Sequence, residues 1–237
     1  MSLSDALRRD GFVVVGGGDV AAMLTPVGAV DQEDLAALQA SWEDLPLDVY
    51  MGDGGTYRSR RYATFRTTLP DGPFMRQPPA PHYQAVEHNT LNGGIAREFV
   101  EIAQATVENP VLQALLRLAS RVFAGAGAAS DQHVEVHQIR IDATTTSGLP
   151  TPEGPHRDGV DFVLMTLIRR SNVSGAVSTI STAPGSAATE FTLERTLDSA
   201  MVDDARVTHS VSAMWPDAPH RPAHRDVLIV TFRAITG

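Results

Sequence analysis

The sequence predicts an α+β protein that is mainly β, a barrel or jelly roll supported by helices near the N-terminus. Helical spacing of apolar residues is concentrated before residue 131, whereas short apolar segments separated by Pro, Gly and Ser follow from about residue 132. Helices that precede the strands, instead of alternating with them, favour a β core over a doubly wound βαβ fold. At 237 residues the chain is long enough for one sizeable domain and too short for two independent cores.

Within the single domain expected for 1–237, we predict a mixed helical and strand support at 1–130 and the core strands at 131–237. The predicted helices of the support are Ser4–Gly11, Asp31–Leu45 and Arg97–Ala124, with strands at Phe12–Val15 and Tyr57–Thr67. The last helix should break at Asn109-Pro110, where the proline can begin a second helix. The predicted core strands are His133–Ile141, Asp161–Arg169, Ala176–Ser181, Glu190–Leu193, Arg206–Met214 and Asp226–Phe232.

Net charge and hydropathy exclude several classes of partner. The formal net charge of −9 argues against nucleic acid, because binding to a polyanion normally requires a cationic surface. No apolar run approaches the length of a membrane helix, and Phe12–Val15 is too short for the core of a signal peptide. We therefore expect a cytoplasmic protein that binds neither nucleic acid nor membrane, and the sequence leaves a homodimer open.

The residue types available for chemistry are restricted. The chain contains no cysteine, which excludes disulfides, iron–sulfur clusters and a cysteine nucleophile. All 19 basic residues are arginine, so Schiff-base catalysis by lysine and a phosphate-binding P-loop lysine are excluded as well. Catalysis must therefore depend on His, Asp, Glu, Ser, Tyr or Arg.

A candidate metal site lies where a proline-rich loop enters an apolar strand. His156 and Asp158 are two residues apart, so at the start of a strand both side chains point to one face. His209 shares a strand face with the apolar Val207 and Val211, which we expect to point inward. Two histidines and one carboxylate occupy one face of an octahedral iron and leave room for a bidentate co-substrate and dioxygen. The same trio can bind zinc, and a hydrogen-bonded turn with a core histidine is the alternative without any metal.

A 2-oxoglutarate co-substrate would also require a buried cation. It binds iron through its keto-acid end, so its other carboxylate lies deep in the barrel. Arginine suits that role because its guanidinium can bind both carboxylate oxygens. Arg225 opens the last strand, sixteen residues after His209, and we expect the two strands to be antiparallel neighbours. Arg221 is the alternative, and either residue can instead be a surface loop arginine.

Longer motifs resemble a known family. The runs Pro152–Phe162, Leu167–Gly175 and Arg225–Phe232 resemble the bacterial 2OG-Fe dioxygenase family that includes isoleucine 4-hydroxylase and related free amino-acid hydroxylases. The resemblance covers most of the chain and is strongest from His133 onward. One departure is Ala176, where we expect a second glycine in the loop.

The resemblance implies a double-stranded β-helix, a jelly-roll or cupin-like barrel, with catalytic iron ligands at His156, Asp158 and His209. It also implies Fe(II), 2-oxoglutarate and dioxygen as cofactors, and hydroxylation of a small free amino acid or a close derivative. Other family members have been associated with biofilm and stress responses. The resemblance therefore indicates the chemistry more directly than the physiological role.

Further polar residues are candidates for binding. Gln138 and Arg140 share one face of their strand and can bind co-substrate or substrate, unless that face is the polar outside of the sheet. An amino-acid substrate needs a cation for its α-carboxylate, and the arginine-rich stretch offers three candidates, with a solvated face as the alternative: Arg58, Arg60 and Arg61. We interpret four histidines as surface residues: His82, His88, His220 and His224.

Two rival functions remain open at this point. A zinc hydrolase would use His156, Asp158 and His209 with a metal-bound water and would need a nearby general base, for which Glu153 and Asp161 are the candidates. A non-catalytic binding or regulatory barrel, linked to stress or biofilm responses, would retain the fold without the reaction.

Overall fold

The structure, a computed structural model, describes residues 2–25, 31–182 and 187–235. The helices in these ranges are α1 (Leu3–Asp10), α2 (Gly17–Leu24), α3 (Gln32–Ala40), α4 (Gln104–Val107) and α5 (Pro110–Ala126). The strands up to residue 142 are β1 (Phe12–Val15), β2 (Arg58–Thr68), β3 (Met75–Arg76), β4 (His82–Tyr83), β5 (Ala96–Arg97) and β6 (Asp131–Asp142). The later strands are β7 (Phe162–Ser171), β8 (Val173–Gly175), β9 (Ser178–Ser181), β10 (Thr189–Phe191), β11 (Ser199–Asp203), β12 (Thr208–Val211), β13 (Met214–Pro216) and β14 (His224–Ala234).

Local sequence signals set the ends of the helices. α1 begins with a capping box, in which the Ser2 hydroxyl accepts the N–H of Asp5 and the Asp5 carboxylate accepts the N–H of Ser2. α5 begins at Pro110, where the side chain of Asn109 accepts two N–H groups of the first turn. The predicted break at Asn109-Pro110 is confirmed. In the part of the chain that the structure describes, no helix is long and apolar enough to span a membrane.

A seven-stranded antiparallel sheet forms the larger wall of the fold, in the order β1-β11-β7-β14-β6-β2-β3. Along β6, Val134 and Val136 lie in the main apolar core, where they pack with the buried side chains of α5. Glu135 and His137 point the other way and line a cavity. Strand alternation therefore gives the sheet one face for the helices and one for the cavity.

A smaller sheet closes the cavity from the opposite side. It consists of β10, β9 and β12 in that order, and β8 pairs separately with β13. An isolated bridge joins His156 to His209 of β12. Residues of both sheets line the cavity, including Val163 and Ile229 from the large sheet and Val211 from the small one. Two facing antiparallel sheets form a jelly roll, so the predicted mainly β fold with N-terminal helices is confirmed.

The pairing of the late strands differs from the prediction. The expected strand Arg206–Met214 is divided into β12 and β13, and β11, which was not predicted, lies between β1 and β7. β14 pairs with β6 and β7, whereas β12 pairs with β9. The expectation that the strands of Arg225 and His209 are neighbours is therefore wrong. They lie in opposite sheets, because in a jelly roll consecutive strands cross from one sheet to the other.

The segment 97–103 is extended, although its sequence predicts the start of a helix. Its backbone runs beside β2, where Tyr62 donates to the carbonyl of Val100 at 3.1 Å and Ile102 donates to the carbonyl of Tyr62 at 3.0 Å. Tertiary pairing here outweighs local helix propensity. As a result Arg97 belongs to β5 and not to a helix.

The loop at Ala176 lacks the second glycine that we expect from the family pattern. Gly175 has a φ of 76° and Ala176 a φ of 53°, so both residues lie in the left-handed region. Glycine adopts this region without steric cost, which alanine does not. The glycine expected at this position therefore has a conformational reason.

Candidate active site and metal centre

A cavity of about 320 Å³ lies between the two sheets. This volume suits a small molecule more than a macromolecule. Its wall combines apolar residues of the barrel interior with charged residues from β2, β5, β6, β12 and β14. Within it, a metal cluster, a second polar cluster and several arginines can be distinguished.

The metal cluster consists of His156, Asp158 and His209, whose potential ligand atoms all lie within 4.8 Å of one another. The two histidines are held together by backbone hydrogen bonds in both directions, each at 3.0 Å. The Nδ1 of His156 donates to the carbonyl of Gly154 at 3.0 Å, which leaves its Nε2 free to bind a metal. The local fold therefore fixes the tautomer that a ligand histidine needs.

His209 shows that the cluster fits a cation. Its Nε2 is buried without a hydrogen-bond partner among the described residues, 3.4 Å from Asp158 Oδ2 and 3.6 Å from Asp204 Oδ1. Burial alone would lower the pKa of His209, but the two carboxylates outweigh burial and raise it to about 10. Burial would likewise raise the pKa of Asp158, yet His209 and His156 hold it well below its ordinary value. A dication among these groups would use the unpartnered nitrogen and balance the carboxylates.

Two neighbouring groups hold Asp158 in place. The Asp204 carboxylate accepts the backbone N–H of Asp158 at 2.9 Å and those of the next two residues. The Gln84 amide donates to Asp158 Oδ1 at 3.3 Å and itself accepts a hydrogen bond from Asn89 at 3.1 Å. Such contacts orient a carboxylate before any metal binds.

Arg225 is a buried cation in the wall of the same cavity. It is 5% exposed, its Nε has no partner, and it forms no ion pair within residues 2–25, 31–182 and 187–235. Burial and the charge of Arg170 lower the pKa of Arg225 to about 10. The alternative residue, Arg221, is exposed and lies outside the cavity lining. Of the two arginines, only Arg225 is placed to meet an anion inside the barrel.

A second cluster of potential ligands, which the sequence did not indicate, lies elsewhere on the cavity wall. His82, Glu135 and His137 also bring their donor atoms within 4.8 Å of one another. Glu135 accepts hydrogen bonds from Tyr62 at 2.9 Å and from His82 at 3.1 Å, and Arg60 donates to His137 Nδ1 at 2.5 Å. The polar atoms of this cluster therefore already have hydrogen-bond partners. The positive charge of Arg60 beside His137 also disfavours a metal cation.

The arginines of β2 are divided between its two faces. Arg58 and Arg60 line the cavity, as substrate binding would require, but both lie near the buried Asp48, at 2.8 and 3.8 Å. Arg61 points away and donates to the carbonyl of Glu101, with Asp44 nearby. Of the three alternatives, Arg61 does not line the cavity, because it lies on the opposite face of β2 from Arg58 and Arg60.

Gln138 and Arg140 also lie outside the cavity. Gln138 donates to the Ser41 hydroxyl at 2.8 Å, and Arg140 forms a bidentate pair with Asp226 at 2.6 and 2.8 Å. Both residues are on the face of β6 that packs toward α3 and the segment after it, so their predicted binding role is not supported by their placement. Two histidines interpreted as surface residues are in fact largely enclosed, His82 at 12% and His224 at 14% side-chain exposure.

Arg97 and Glu153 are further charged residues of the cavity wall. The helical pattern around Arg97 hid its position in β5. From the sequence, Glu153 is a candidate only as the general base of a hydrolase. The sequence signal that places Glu153 near the metal cluster is its position in the proline-rich loop, three residues before His156.

Comparison with known proteins agrees with the class of enzyme that this fold and cluster suggest, a non-haem iron oxygenase. A sequence model of the 2OG-Fe dioxygenase family matches residues 39–231, and the chain belongs to that family. The family uses Fe(II), 2-oxoglutarate and dioxygen, so the predicted cofactors are confirmed. The protein is a 2-oxoglutarate-dependent dioxygenase.

Individual relatives extend the comparison. The chain is 25% identical over 203 residues to L-isoleucine-4-hydroxylase of Bacillus thuringiensis. The aligned region covers 84% of this chain and 82% of the relative. A solved structure of a bsmA homolog from Methylobium petroleophilum has a TM-score of 0.87 and 33% identity, and covers 98% of this chain and 92% of that one. The structure of IDO from Bacillus thuringiensis has a TM-score of 0.81 at 19% identity, and the match covers 99% of this chain and 100% of that one. At this identity the similarity supports the fold alone.

Proposed function

We propose that this dioxygenase hydroxylates a small free amino acid or a close derivative. In this proposal His156, Asp158 and His209 hold the iron, and Arg225 binds the distal carboxylate of 2-oxoglutarate. The observation that carries the proposal is Arg225, a buried guanidinium without an ion-pair partner among the described residues, in the cavity that contains the metal cluster. A buried charge is costly unless it is paired, and a dicarboxylate co-substrate supplies the missing partner.

The residues around the cavity have separate tasks. Bound iron and 2-oxoglutarate together supply the oxidising power to insert one oxygen atom of dioxygen into a C–H bond, with succinate and carbon dioxide as the other products. Gly154 fixes the orientation of His156, and Gln84 holds the Asp158 carboxylate. Apolar side chains such as Val163 and Ile229 exclude water from the space beside the cluster.

The amino-acid substrate is supported by three features. The relative from Bacillus thuringiensis is an L-isoleucine-4-hydroxylase by name. The cavity of about 320 Å³ has room for small molecules only. Arginines in its wall can bind a substrate carboxylate.

The zinc hydrolase is less well supported by the same geometry. Of its two candidate bases, Asp161 accepts the backbone N–H of Ala234 at 2.7 Å and is not among the residues that line the cavity. Glu153 does line the cavity, but family membership favours iron with 2-oxoglutarate over zinc with water.

The direct test is to incubate the iron-loaded protein in air with 2-oxoglutarate and a mixture of the proteinogenic L-amino acids. We expect succinate to form together with an amino acid that has gained the mass of one oxygen atom, measured by mass spectrometry. Asp158→Ala is the matched control and should form neither product. Succinate without an oxidised amino acid would contradict the substrate class, and the absence of both products from the native protein would contradict the proposed function.

A further inference from the structure

Among the described residues, two buried charged groups of the cavity, Arg97 and Glu153, remain without an ion-pair partner after Arg225 and the metal cluster have been assigned. Arg97 is 2% exposed, and neither its Nε nor its Nη2 has a hydrogen-bond partner within the described ranges. The side chain of Glu153 is 7% exposed, and its Oε2 also has no hydrogen-bond partner among the described residues. Both residues line the cavity. A buried guanidinium and a buried carboxylate oxygen each require a complementary group.

The neighbours of Arg97 cannot supply its missing partner. Asp48 is bound to Arg58 at 2.8 Å and is also 3.8 Å from Arg60. The guanidinium carbon of Arg97 lies 5.9 Å from the centroid of the uncharged Phe99 ring. Burial and the charge of Arg58 lower the pKa of Arg97. Arg97 is therefore a cation that no other residue described by the structure neutralises by direct contact.

Glu153 is the anionic counterpart of Arg97, a buried charge without a direct ion-pair partner among the described residues. Its Oε1 lies 3.7 Å from His156 Nδ1, but that nitrogen donates to the Gly154 carbonyl instead. The negative charge of Glu153 opposes the lowering of the pKa of Arg97, so the two groups interact through space without forming an ion pair. A molecule that carries an ammonium and a carboxylate on one carbon offers each group the partner that it lacks.

We propose that Arg97 and Glu153 form a zwitterion-binding subsite, in which Arg97 binds the α-carboxylate and Glu153 the α-ammonium of a free amino acid. This inference rests on the proposed function and makes it more specific. A simple carboxylic acid would leave Glu153 unpaired, and a simple amine would leave Arg97 unpaired. A residue inside a peptide chain carries neither charge, so the subsite selects free amino acids over peptides.

The assignment also replaces the arginines that the sequence suggested. Arg61 faces away from the cavity, and Arg58 and Arg60 are engaged with Asp48 and His137. Arg97 has no such partner among the residues described. Compared with Arg58, Arg60 and Arg61, Arg97 is therefore the arginine whose missing partner a substrate carboxylate would supply, as far as the described residues show.

The test measures ligand binding to the anaerobic protein loaded with Fe(II) and 2-oxoglutarate, so that it does not depend on turnover. Each proteinogenic L-amino acid is titrated by calorimetry, and the tightest binder is compared with its decarboxylated amine and its deaminated acid. The variants are Arg97→Met and Glu153→Gln. Arg61→Met, on the outer face of β2, is the matched control. Titration of 2-oxoglutarate, followed by its metal-to-ligand absorption band, reports whether each variant retains a folded site.

We expect Arg97→Met to weaken binding of the amino acid about 100-fold, as expected for loss of a buried charged partner, with little change for the decarboxylated amine. Glu153→Gln should weaken the amino acid in the same way and spare the deaminated acid. Both variants should bind 2-oxoglutarate like the native protein, and Arg61→Met should change nothing.

Three results would overturn the inference. These are native-like amino-acid binding in both variants, equal loss of all three ligands, and no binding of any L-amino acid to native protein that does bind 2-oxoglutarate. Failure of the native iron-loaded protein to bind 2-oxoglutarate would instead overturn the proposed function.

Discussion

The cavity contains two groups of two histidines and one carboxylate, and they differ in whether their polar atoms have partners. In the group at His156, Asp158 and His209, the Nε2 of His209 is buried without a hydrogen bond among the described residues. In the group at His82, Glu135 and His137, Glu135 accepts hydrogen bonds from its neighbours, and Arg60 donates to His137. Judged only by residue types and by the distances between potential ligand atoms, both groups would be metal sites.

His209 in the first group and His137 in the second have pKa values shifted in opposite directions. The carboxylates of Asp158 and Asp204 raise the pKa of His209 to about 10 despite its burial. Burial, with the charge of Arg60 and against the effect of Glu135, lowers the pKa of His137 to about 3. The first environment therefore attracts positive charge, whereas the second excludes it. A metal site is recognised by its unmatched negative charge and free donor atoms, more than by its ligand types.

The largest expected effect is on 2-oxoglutarate affinity, and it should distinguish the buried, unpaired Arg225 from the exposed Arg221. Arg225→Met removes the proposed partner of the distal carboxylate of 2-oxoglutarate and should weaken its binding by about 3–5 kcal/mol, roughly two to four orders of magnitude. The measurement is an anaerobic titration of the Fe(II) protein by its metal-to-ligand absorption band. Arg221→Met, at the exposed alternative position, should titrate like the native protein. If instead Arg221→Met loses affinity and Arg225→Met does not, Arg225 is not the anchor.

A smaller effect should appear in the pH dependence of stability. Because the pKa of His137 is about 3 in the folded chain and about 6.5 when unfolded, the unfolded state binds the extra proton first as the pH falls. The stabilisation is complete above pH ~6.5 and decreases toward pH ~3. Between pH 7 and pH 5 the native protein should therefore lose about 2 kcal/mol more free energy of unfolding than His137→Gln.

Urea unfolding at both pH values measures this difference. His220→Gln changes an exposed histidine and serves as the control, since it should follow the native pH dependence. Equal losses in the native protein and in His137→Gln would show that His137 titrates normally, and the contrast between the two groups would then disappear.

The metal cluster was predictable because its geometry is local. Two side chains separated by one residue share a face of a strand, which predicts that His156 and Asp158 converge. His209 could be placed by its apolar neighbours on the same strand face. The position of Arg225 at the cavity was also predicted, but for a reason that proved wrong, since its strand lies in the sheet opposite His209.

The second cluster could not be predicted, because the two faces of β6 have similar composition. One face carries two valines followed by Gln138 and Arg140, and the other carries Glu135 and His137 followed by two isoleucines. Which face meets the helices is decided by packing against α5, which alternation alone does not reveal. The same limit applies to Arg97, whose helical pattern is overridden by the pairing of β5 with β4 and of the residues that follow it with β2.

The central claim is that one cation binds at His156, Asp158 and His209 and none at His82, Glu135 and His137. Its most direct test is a crystal of the protein soaked anaerobically with Fe(II), with diffraction measured at the iron absorption edge. We expect a single anomalous peak per chain, roughly 2.0–2.2 Å from Nε2 of both ligand histidines and from an Asp158 oxygen, as is typical of first-row metals. A peak between His82, Glu135 and His137, or no peak at the first cluster, would contradict the claim.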